Sequence, residues 1–312
     1  MKKFMPSLLL VVFLGGLWYA WSQDFFKKQK PLEQAKALVQ VDVQEVQSFS
    51  IENKDQPVIE LIRNDDGWSM AKPSAAPLNP NLTEGWIDSF NLLTQERAVD
   101  EHASDLAKFG LAEPSSVYRV SLSDGTTKEV RIGSATPVEG YVYVQLNDSP
   151  VVYQVNASSI TALNKRPLDF VETNPVKFDY DRVKSISFNW KDRKWELVKT
   201  EGDKPSVESK WKMDGKEIEG AEAVQILERV RSMDTEQMPK PALEAAVKAV
   251  DWTMEIVETI DGKDLKSTYE ARPDEHAAWV IRQGGEWAYA IPASFAEELA
   301  GLGTPKSGGS GG

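Results

Sequence analysis

The chain has 312 residues and an ordinary globular composition, with 41% hydrophobic and 27% charged residues. Its 48 acidic residues outnumber the 36 basic ones and give a formal net charge of −12. An acidic chain of this kind repels phosphate backbones, so nucleic-acid binding is not expected. The chain has no cysteine and two histidines, which excludes disulfides, thiol nucleophiles and zinc sites built from several histidines.

An uncharged apolar run at the N-terminus predicts a transmembrane helix. The run extends from Phe4 to Trp21, and at helical rise it covers roughly 27 Å, about the thickness of a hydrocarbon core. Trp18, Tyr19 and Trp21 lie at its C-terminal end, where amphipathic rings prefer the membrane interface. The alternative is a cleavable signal peptide, which has a shorter apolar region and a small-residue cleavage site. We predict a retained anchor over residues 1–23.

The charged residues on either side of this apolar run bear on the orientation of the chain in the membrane. Lysines lie on both sides of it, so the charge bias across the membrane is weak. A short N-terminal span before a large acidic body nevertheless favours a single-pass cell-membrane protein, with the N-terminus inside and the body extracytoplasmic. Residues 24–40 are predicted to form a polar juxtamembrane linker.

The rest of the chain contains an internal repeat displaced by 137 positions. Residues 46–51 (VQSFSI) reappear as residues 183–188 (VKSISF). Both segments alternate apolar and polar residues, which is typical of a half-buried strand. Each half later contains an Asp-Gly turn, Asp124-Gly125 and Asp261-Gly262, between alternating runs, and this pattern predicts a β-hairpin.

Both halves give the same predicted order of three strands, a helix, a short helix, four strands and a terminal helix. In the first half we predict strands near 46–51, 58–62, 68–70, 117–122, 127–133, 141–146 and 151–155, and helices from Asn79-Pro80, over 104–109 and over 157–163. In the second half we predict strands near 183–188, 194–198, 211–213, 252–260, 278–282 and 287–291, a further strand after the Asp261-Gly262 turn, and helices from 220, over 241–250 and over 292–302.

The predicted fold class is therefore α+β, with two tandem repeated domains that each combine an antiparallel sheet with helices. The first domain is predicted over residues 41–172 and the second over 173–303. Residues 201–209 are a polar insertion that breaks the symmetry of the second half. The Gly/Ser-rich residues 304–312 have the composition of a flexible tail.

Three runs in the first half resemble a known bacterial family. They are residues 67–73 (GWSMAKP), residues 105–111 (DLAKFGL) with Pro114, and the strand over 127–133 that leads into Thr136-Pro137. With the N-terminal anchor, the chain resembles the family called domain of unknown function 4340 (DUF4340). The resemblance covers most of residues 41–300 and is sharper in the first half.

The resemblance carries an expectation about partners and none about catalytic residues. Members of the family are commonly encoded beside ATP-binding-cassette (ABC) transporter subunits of the gliding-motility type. The resemblance therefore implies an extracytoplasmic accessory role, with a transporter permease and an ATPase as partners.

Two motifs with catalytic counterparts are interpreted as structural. Ser69 and Lys72 match S-x-x-K, but that motif requires a helix in a cleft, and here Pro73 follows an alternating strand whose residues three apart point to opposite faces. Asp179 and Asp181 could share a face as a glycosidase pair or as calcium ligands. Because no calcium loop is present, we interpret these two as part of a turn before a strand.

The two histidines do not predict a catalytic triad. His102 lies among Asp100, Glu101 and Ser104 in one short acidic segment, whereas triads assemble from separated segments. Helix capping by the aspartate or serine explains the same residues. His276 falls in a predicted hairpin turn and is expected to be solvated.

Tryptophan is the one residue type in excess. Exposed tryptophans can stack on sugars or anchor protein interfaces. Trp68, Trp86 and Trp211 occupy repeat-equivalent or helix-core positions and are predicted to be buried. Trp190 and Trp195 flank a predicted turn, so they are the predicted exposed interface candidates.

These patterns favour a function in binding. No phosphate-binding loop occurs, so any nucleotide hydrolysis is expected in a partner, and no cofactor or metal is expected. The leading prediction is a non-catalytic, membrane-anchored accessory or substrate-engaging subunit of an ABC-transporter-type assembly. The alternative is a cell-envelope glycan-binding protein that uses exposed tryptophans, and a carboxylate-dependent hydrolase is the third possibility.

Overall fold

The structure is a computed structural model, and it describes residues 36–202 and 204–303. The predicted anchor with Trp18, Tyr19 and Trp21, most of the predicted linker and the tail at 304–312 lie outside these residues. Among the described helices, none has the length and apolar character needed to cross a membrane.

Nine strands of the first half form one antiparallel sheet. Their order is β1-β5-β9-β8-β7-β6-β2-β3-β4. The strands are β1 (Lys36–Ala37), β2 (Val46–Asn53), β3 (Ile59–Asn64), β4 (Gly67–Lys72), β5 (Thr94–Asp100), β6 (Ser116–Leu122), β7 (Thr127–Ala135), β8 (Tyr141–Leu146) and β9 (Val152–Asn156). The helices are α1 (Pro80–Asn91) and α2 (Ala157–Leu163), with 3₁₀ turns at Val43–Glu45, Leu106–Phe109 and Pro167–Phe170.

Nine strands of the second half form the other antiparallel sheet, in the order β13-β12-β11-β10-β15-β16-β17-β18-β14. The strands are β10 (Val183–Trp190), β11 (Arg193–Lys199), β12 (Trp211–Met213), β13 (Lys216–Ile218), β14 (Lys240–Pro241), β15 (Trp252–Ile260), β16 (Lys263–Pro273), β17 (Ala277–Arg282) and β18 (Trp287–Pro292). The helices are α3 (Gly220–Arg231), α4 (Ala242–Ala245) and α5 (Phe295–Leu302), with a 3₁₀ turn at Tyr180–Arg182.

The two sheets have the same strand order, which confirms the internal repeat. Read in reverse, the second sheet runs β14-β18-β17-β16-β15-β10-β11-β12, and these strands correspond in turn to β5-β9-β8-β7-β6-β2-β3-β4 of the first sheet. Strands β1 and β13 have no counterpart among the described strands. The first strands of the two repeats, β2 and β10, begin 137 positions apart, at Val46 and Val183. From its fourth residue onward, each strand buries alternate side chains, as the period-two pattern predicts. The described part of the chain is therefore mostly antiparallel sheet with few helices, in agreement with an α+β class.

The predicted Asp-Gly hairpins form, and the second illustrates why. Asp261 and Gly262 join β15 to β16 with φ angles of 52° and 72°. Two consecutive positive φ values give a type I′ turn, whose twist matches that of the flanking strands. Aspartate and glycine are among the few residues that adopt these angles at low energy.

Several segments of both halves differ from the sequence expectation. Residues 36–40 were assigned to a linker, yet Lys36–Ala37 is strand β1, paired with β5, and Leu38 and Val39 are buried. The short second helix of the second half, predicted over 241–250, is confined to Ala242–Ala245. The Asp251 N–H donates to the Ala271 carbonyl (2.8 Å), just before the next strand begins at Trp252.

Packing divides the chain into two compact units. One contains Asp88–Tyr118 and Lys128–Leu163, and the other contains Glu45–Ile87, Arg119–Thr127 and the chain from Asn164 onward. The predicted domain boundary between residues 172 and 173 stays a prediction.

The core of the second repeat lies between its sheet and helices α3 and α5. Its members are buried apolar side chains from the strands and from the inner helix faces, among them Ile186, Phe188, Trp195, Trp211, Leu227, Val230, Trp252, Ile256 and Leu299. Helices α3 and α5 thereby fix the position of the loops that end on this side of the sheet.

Candidate functional site

A cleft of about 700 Å³ opens in the second repeat, beside the insertion that breaks the symmetry. Its walls come from the turn before β10, the insertion between β11 and β12, helix α3 and strand β15. The lining residues are Lys177, Phe178, Asp179, Tyr180, Asp181, Arg182, Pro205, Ser206, Val207, Val224, Arg231 and Glu258. In the first repeat only Asp65 and Asp66 separate the corresponding strands β3 and β4, so the insertion wall is specific to the second repeat.

The insertion is held in place by hydrogen bonds at Ser206. The Ser206 N–H donates to Asp181 Oδ1 (2.6 Å), and the Trp211 Nε1–H donates to the Ser206 carbonyl (2.9 Å). Ser206 and Ser209 are both buried, and the Ser209 hydroxyl donates to the Pro205 carbonyl (2.9 Å). Buried, paired polar groups of this kind keep a loop in one conformation, so the wall of the cleft is preformed.

The base of the insertion is closed by charged pairs. Lys204 donates to Glu201 Oε1 (3.0 Å) and the Lys210 N–H donates to Glu201 Oε2 (3.1 Å). The bond from the Lys204 ammonium, followed by that from the Lys210 backbone, lowers the pKa of Glu201. The insertion therefore keeps a fixed base at neutral pH.

Asp179 and Asp181, the predicted turn residues, are brought together in this cleft. Asp179 Oδ1 accepts the Asp181 N–H (3.0 Å) and its Oδ2 lies 3.5 Å from Arg182 Nε. Asp179 therefore acts as an N-terminal cap of the 3₁₀ turn, which is the structural role inferred from the sequence. Among residues 36–202 and 204–303, no group of three or more His, Asp or Glu side chains is placed to hold a metal ion.

Arg231 and Glu258 are the cleft residues that sequence reasoning missed. The Arg231 guanidinium lies over the Tyr180 ring, 5.1 Å from its centroid. Glu258 is half-buried on β15 and accepts the Asp179 N–H at Oε1 (3.1 Å). The insertion at 201–209 is visible in the sequence as a break in the repeat. Nothing in the local sequence predicts that it lies beside α3 and β15.

Trp190 and Trp195 are not exposed, and the prediction that they are is wrong. Trp190 is 8% exposed and Trp195 is 2% exposed. The Trp190 Nε1–H donates to Asp251 Oδ2 (3.0 Å), and the Trp195 Nε1–H donates to the Leu299 carbonyl (2.7 Å). Both lie on the face of the sheet that helix α5 covers. Their side chains are therefore not available to a partner at an interface.

The other singled-out residues have structural surroundings. Trp86 and Trp211 are buried, as predicted, whereas Trp68 is half-buried. Ser69 and Lys72 lie on strand β4, and Lys72 pairs with Glu60 (2.9 Å).

Both histidines lie at the protein surface. His102 and His276 are exposed, and the His102 N–H donates to Asp100 Oδ1 (2.9 Å). The 3₁₀ turn over Leu106–Phe109 is capped by Asp105, which accepts the Ala107 N–H (3.2 Å), so the prediction that Asp100 or Ser104 caps a helix is wrong. His276 is exposed in its hairpin turn, as predicted.

A second surface feature is an apolar ridge, formed by Leu243, Val247 and Val250. These side chains are 88%, 85% and 41% exposed. In the first repeat the equivalent segment covers its apolar residues, since Leu111 is 2% exposed and the half-buried Phe109 ring packs against Tyr143 at 5.1 Å. The same position in the fold has thus become an exposed apolar surface, which is typical of an interaction site.

The apolar ridge is tethered to the sheet through Asp274. This carboxylate accepts the Trp279 Nε1–H (2.8 Å), the Lys248 ammonium (3.0 Å) and the Glu275 N–H (3.0 Å). These bonds, that from Trp279 first, lower the pKa of Asp274. The Arg272 guanidinium also donates to the Lys248 carbonyl. The ridge is therefore held in a fixed position.

We expect Asp274→Asn to loosen the apolar ridge. Faster amide hydrogen exchange over residues 242–250 at neutral pH is the measurement. Because the folded pKa is depressed, the tether is fully present above the ordinary pKa of about 4 and is lost as the pH falls below it. Asp264→Asn, which removes an exposed carboxylate paired with Lys184, is the matched control and should leave 242–250 unchanged. Equal rates of amide hydrogen exchange over residues 242–250 in the Asp274 and Asp264 variants would show that Asp274 does not hold the ridge in place.

Comparison with known proteins supports a family assignment. No curated protein and no solved structure matches the chain. A family model described as Domain of unknown function (DUF4340) matches residues 68–249, a span that includes α1 and α3, the insertion and the first two residues of the apolar ridge. The chain therefore belongs to the DUF4340 family.

Proposed function

We propose that this protein is a membrane-anchored, extracytoplasmic and non-catalytic accessory or substrate-engaging subunit of an ABC-transporter-type assembly. The proposed partners are the permease and ATPase subunits, the class implied by the family resemblance. The apolar run from Phe4 to Trp21 supports the anchor. Anchoring confines the body to a layer beside the membrane, where its high effective concentration makes weak contacts sufficient.

The observation that carries the proposal is the apolar ridge. Apolar surface exposed to water raises the free energy of the system, and covering it with a partner lowers that free energy. Its exposed neighbours Glu244 and Glu275 form no ion pair within residues 36–202 and 204–303. Their charges favour a protein surface with basic side chains around an apolar centre and disfavour an anionic bilayer.

Crosslinking in native membranes, followed by mild detergent extraction and mass spectrometry, tests this role. We expect stoichiometric recovery of a polytopic permease and an ATPase with the wild-type chain. Val247→Asp should abolish that recovery, because it places a charge in the centre of the apolar contact. Leu92→Asp is the matched control, since Leu92 is 74% exposed and lies outside the ridge, and it should leave recovery unchanged.

Two outcomes would contradict the proposal. Recovery of the chain alone would remove the partner, and release of the protein from membranes without detergent would remove the anchor. Equal recovery of the partners with Val247→Asp and with the wild-type chain would mean that the apolar ridge is not the surface that binds them.

The alternative function, glycan binding, is supported by the cleft beside the insertion and not by exposed tryptophans. It was expected to use Trp190 and Trp195, and both are buried. In the described residues, the cleft beside the insertion offers carboxylates and a guanidinium that could bind sugar hydroxyls instead.

A further inference from the structure

The cleft beside the insertion offers hydrogen-bond donors and acceptors that its own contacts leave unused. Arg231 forms no ion pair with any residue of the described chain, and its guanidinium is oriented by the Tyr180 ring beneath it. Asp181 and Glu258 each use one carboxylate oxygen for a backbone N–H. In the described ranges, Asp181 Oδ2 and Glu258 Oε2 accept no hydrogen bond, so both can accept one from a ligand.

The cleft is lined by equal numbers of acidic and basic residues, but not all of them are free to meet a ligand. Three acidic residues, Asp179, Asp181 and Glu258, face three basic ones, Lys177, Arg182 and Arg231. Two of the basic residues are already engaged, because Lys177 pairs with Glu172 and Arg182 with Asp179. The carboxylates left without an ionic partner in the described residues, Asp181 and Glu258, repel an anion such as phosphate. Arg231 presents donors beside them, so the cleft favours a ligand whose groups both donate and accept hydrogen bonds.

The lining also has an apolar part. Val207 at the tip of the insertion is exposed, and Val224 of α3 lies in the same wall. A ligand with a C–H face could rest on these two side chains while its polar groups reach the carboxylates and the guanidinium.

We propose that this cleft is a binding site for a neutral oligosaccharide. Sugar hydroxyls donate to carboxylates and accept from a guanidinium at the same time, and the C–H face of a pyranose ring suits the valines. An extended peptide is disfavoured, because the only strand in the lining, β15, is paired on both sides with β10 and β16 and offers no free edge. The inference goes beyond the proposed accessory role and does not depend on it.

Titration calorimetry on the full chain in detergent tests this site. The probes are neutral gluco-, manno- and chito-oligosaccharides, and we expect saturable binding of at least one of these classes. Arg231→Ala and Glu258→Gln should each weaken that binding by about 10-fold or more, since each removes a hydrogen bond to a charged group. Arg231→Lys, which keeps the charge and loses the fork, should weaken it less.

The matched control is Arg193→Ala. Arg193 is also an exposed guanidinium near an aromatic ring, 5.9 Å from the centroid of Trp190, but it does not line the cleft. Its removal should leave binding unchanged. Absence of saturable binding across the panel at millimolar concentrations would overturn the proposal. Binding that survives both cleft variants, or saturable binding of an uncharged peptide of similar size with none of the sugars, would overturn it as well.

Discussion

Replacing Trp195 by alanine is expected to lower the free energy of unfolding by about 3–5 kcal/mol, the range for emptying a buried tryptophan site. Trp195 is 2% exposed and its ring lies 5.8 Å from that of Phe188. Helix α5 ends directly against it, since a Cβ on Gly303 would lie 2.6 Å from the Trp195 Cβ. The substitution leaves a cavity and an unpaired Leu299 carbonyl, both of which destabilise the fold.

Chemical denaturation followed by far-UV circular dichroism measures this effect without relying on tryptophan fluorescence. Trp195→Phe is the matched control, because it keeps an aromatic ring while it loses the bond to Leu299 and part of the ring volume, and it should cost less, about 1–3 kcal/mol. An unchanged unfolding midpoint for Trp195→Ala would mean that this side chain is exposed in solution, as the sequence first suggested.

This expectation changes how a binding experiment should be interpreted. A total stability of about 5–15 kcal/mol is typical of a domain, so Trp195→Ala can remove a large part of it. Loss of glycan retention in such a variant would report unfolding. Variants of Arg231 and Glu258, which are exposed and half-buried, test binding with less risk to the fold.

The sequence predicts the repeat well because the signal is local and occurs twice. Alternation in β2 and β10, together with Asp-Gly at 124–125 and 261–262, fixes strands and hairpins without long-range information. Strands β5 and β14 follow the long helix of each repeat and were both missed. β5 contains Glu96 and Arg97 and lacks alternation, so only its pairing with β1 and β9 makes it a strand.

The tryptophan error has an identifiable cause. A position beside a turn suggests exposure, but Ile186, Phe188 and Trp190 continue one alternating series and face the same side of β10. Trp195 pairs with Phe188 across the ladder and therefore faces that side too. The period-two pattern, extended to the last residue of the strand, would have placed both side chains in the core.

The candidate sites could be predicted only in part. The insertion at 201–209 was recognised as a break in the repeat, but its role as a wall depends on the bond between Ser206 and Asp181, 25 positions apart in sequence. The residues of the apolar ridge were predicted as part of a helix over 241–250, and nothing in that pattern predicts that their side chains are exposed. Both sites arise where the second repeat departs from the first, so the first repeat gives a baseline for recognising them.

Gly220→Ala is expected to destabilise the second repeat, although alanine is the better helix former. Gly220 is the first residue of α3, and a Cβ there would lie 2.3 Å from the Val207 carbonyl oxygen and 2.6 Å from that of Ser206. Real Cβ atoms do not approach backbone this closely, so either the helix or the insertion must move. Overpacking of this kind costs about 1–3 kcal/mol, and the displaced Val207 belongs to the wall of the cleft.

Gly85→Ala is a matched control for which the opposite change in the free energy of unfolding is expected. Gly85 lies within α1, the counterpart of α3 in the first repeat, and a Cβ there meets nothing within 4 Å. Alanine should therefore raise the free energy of unfolding by about 0.5–1 kcal/mol, because it lowers the backbone entropy of the unfolded chain. Denaturation curves of the two variants measure the difference. If Gly220→Ala were stabilising as well, the insertion could not pack against the start of α3, and the preformed wall of the cleft would be contradicted.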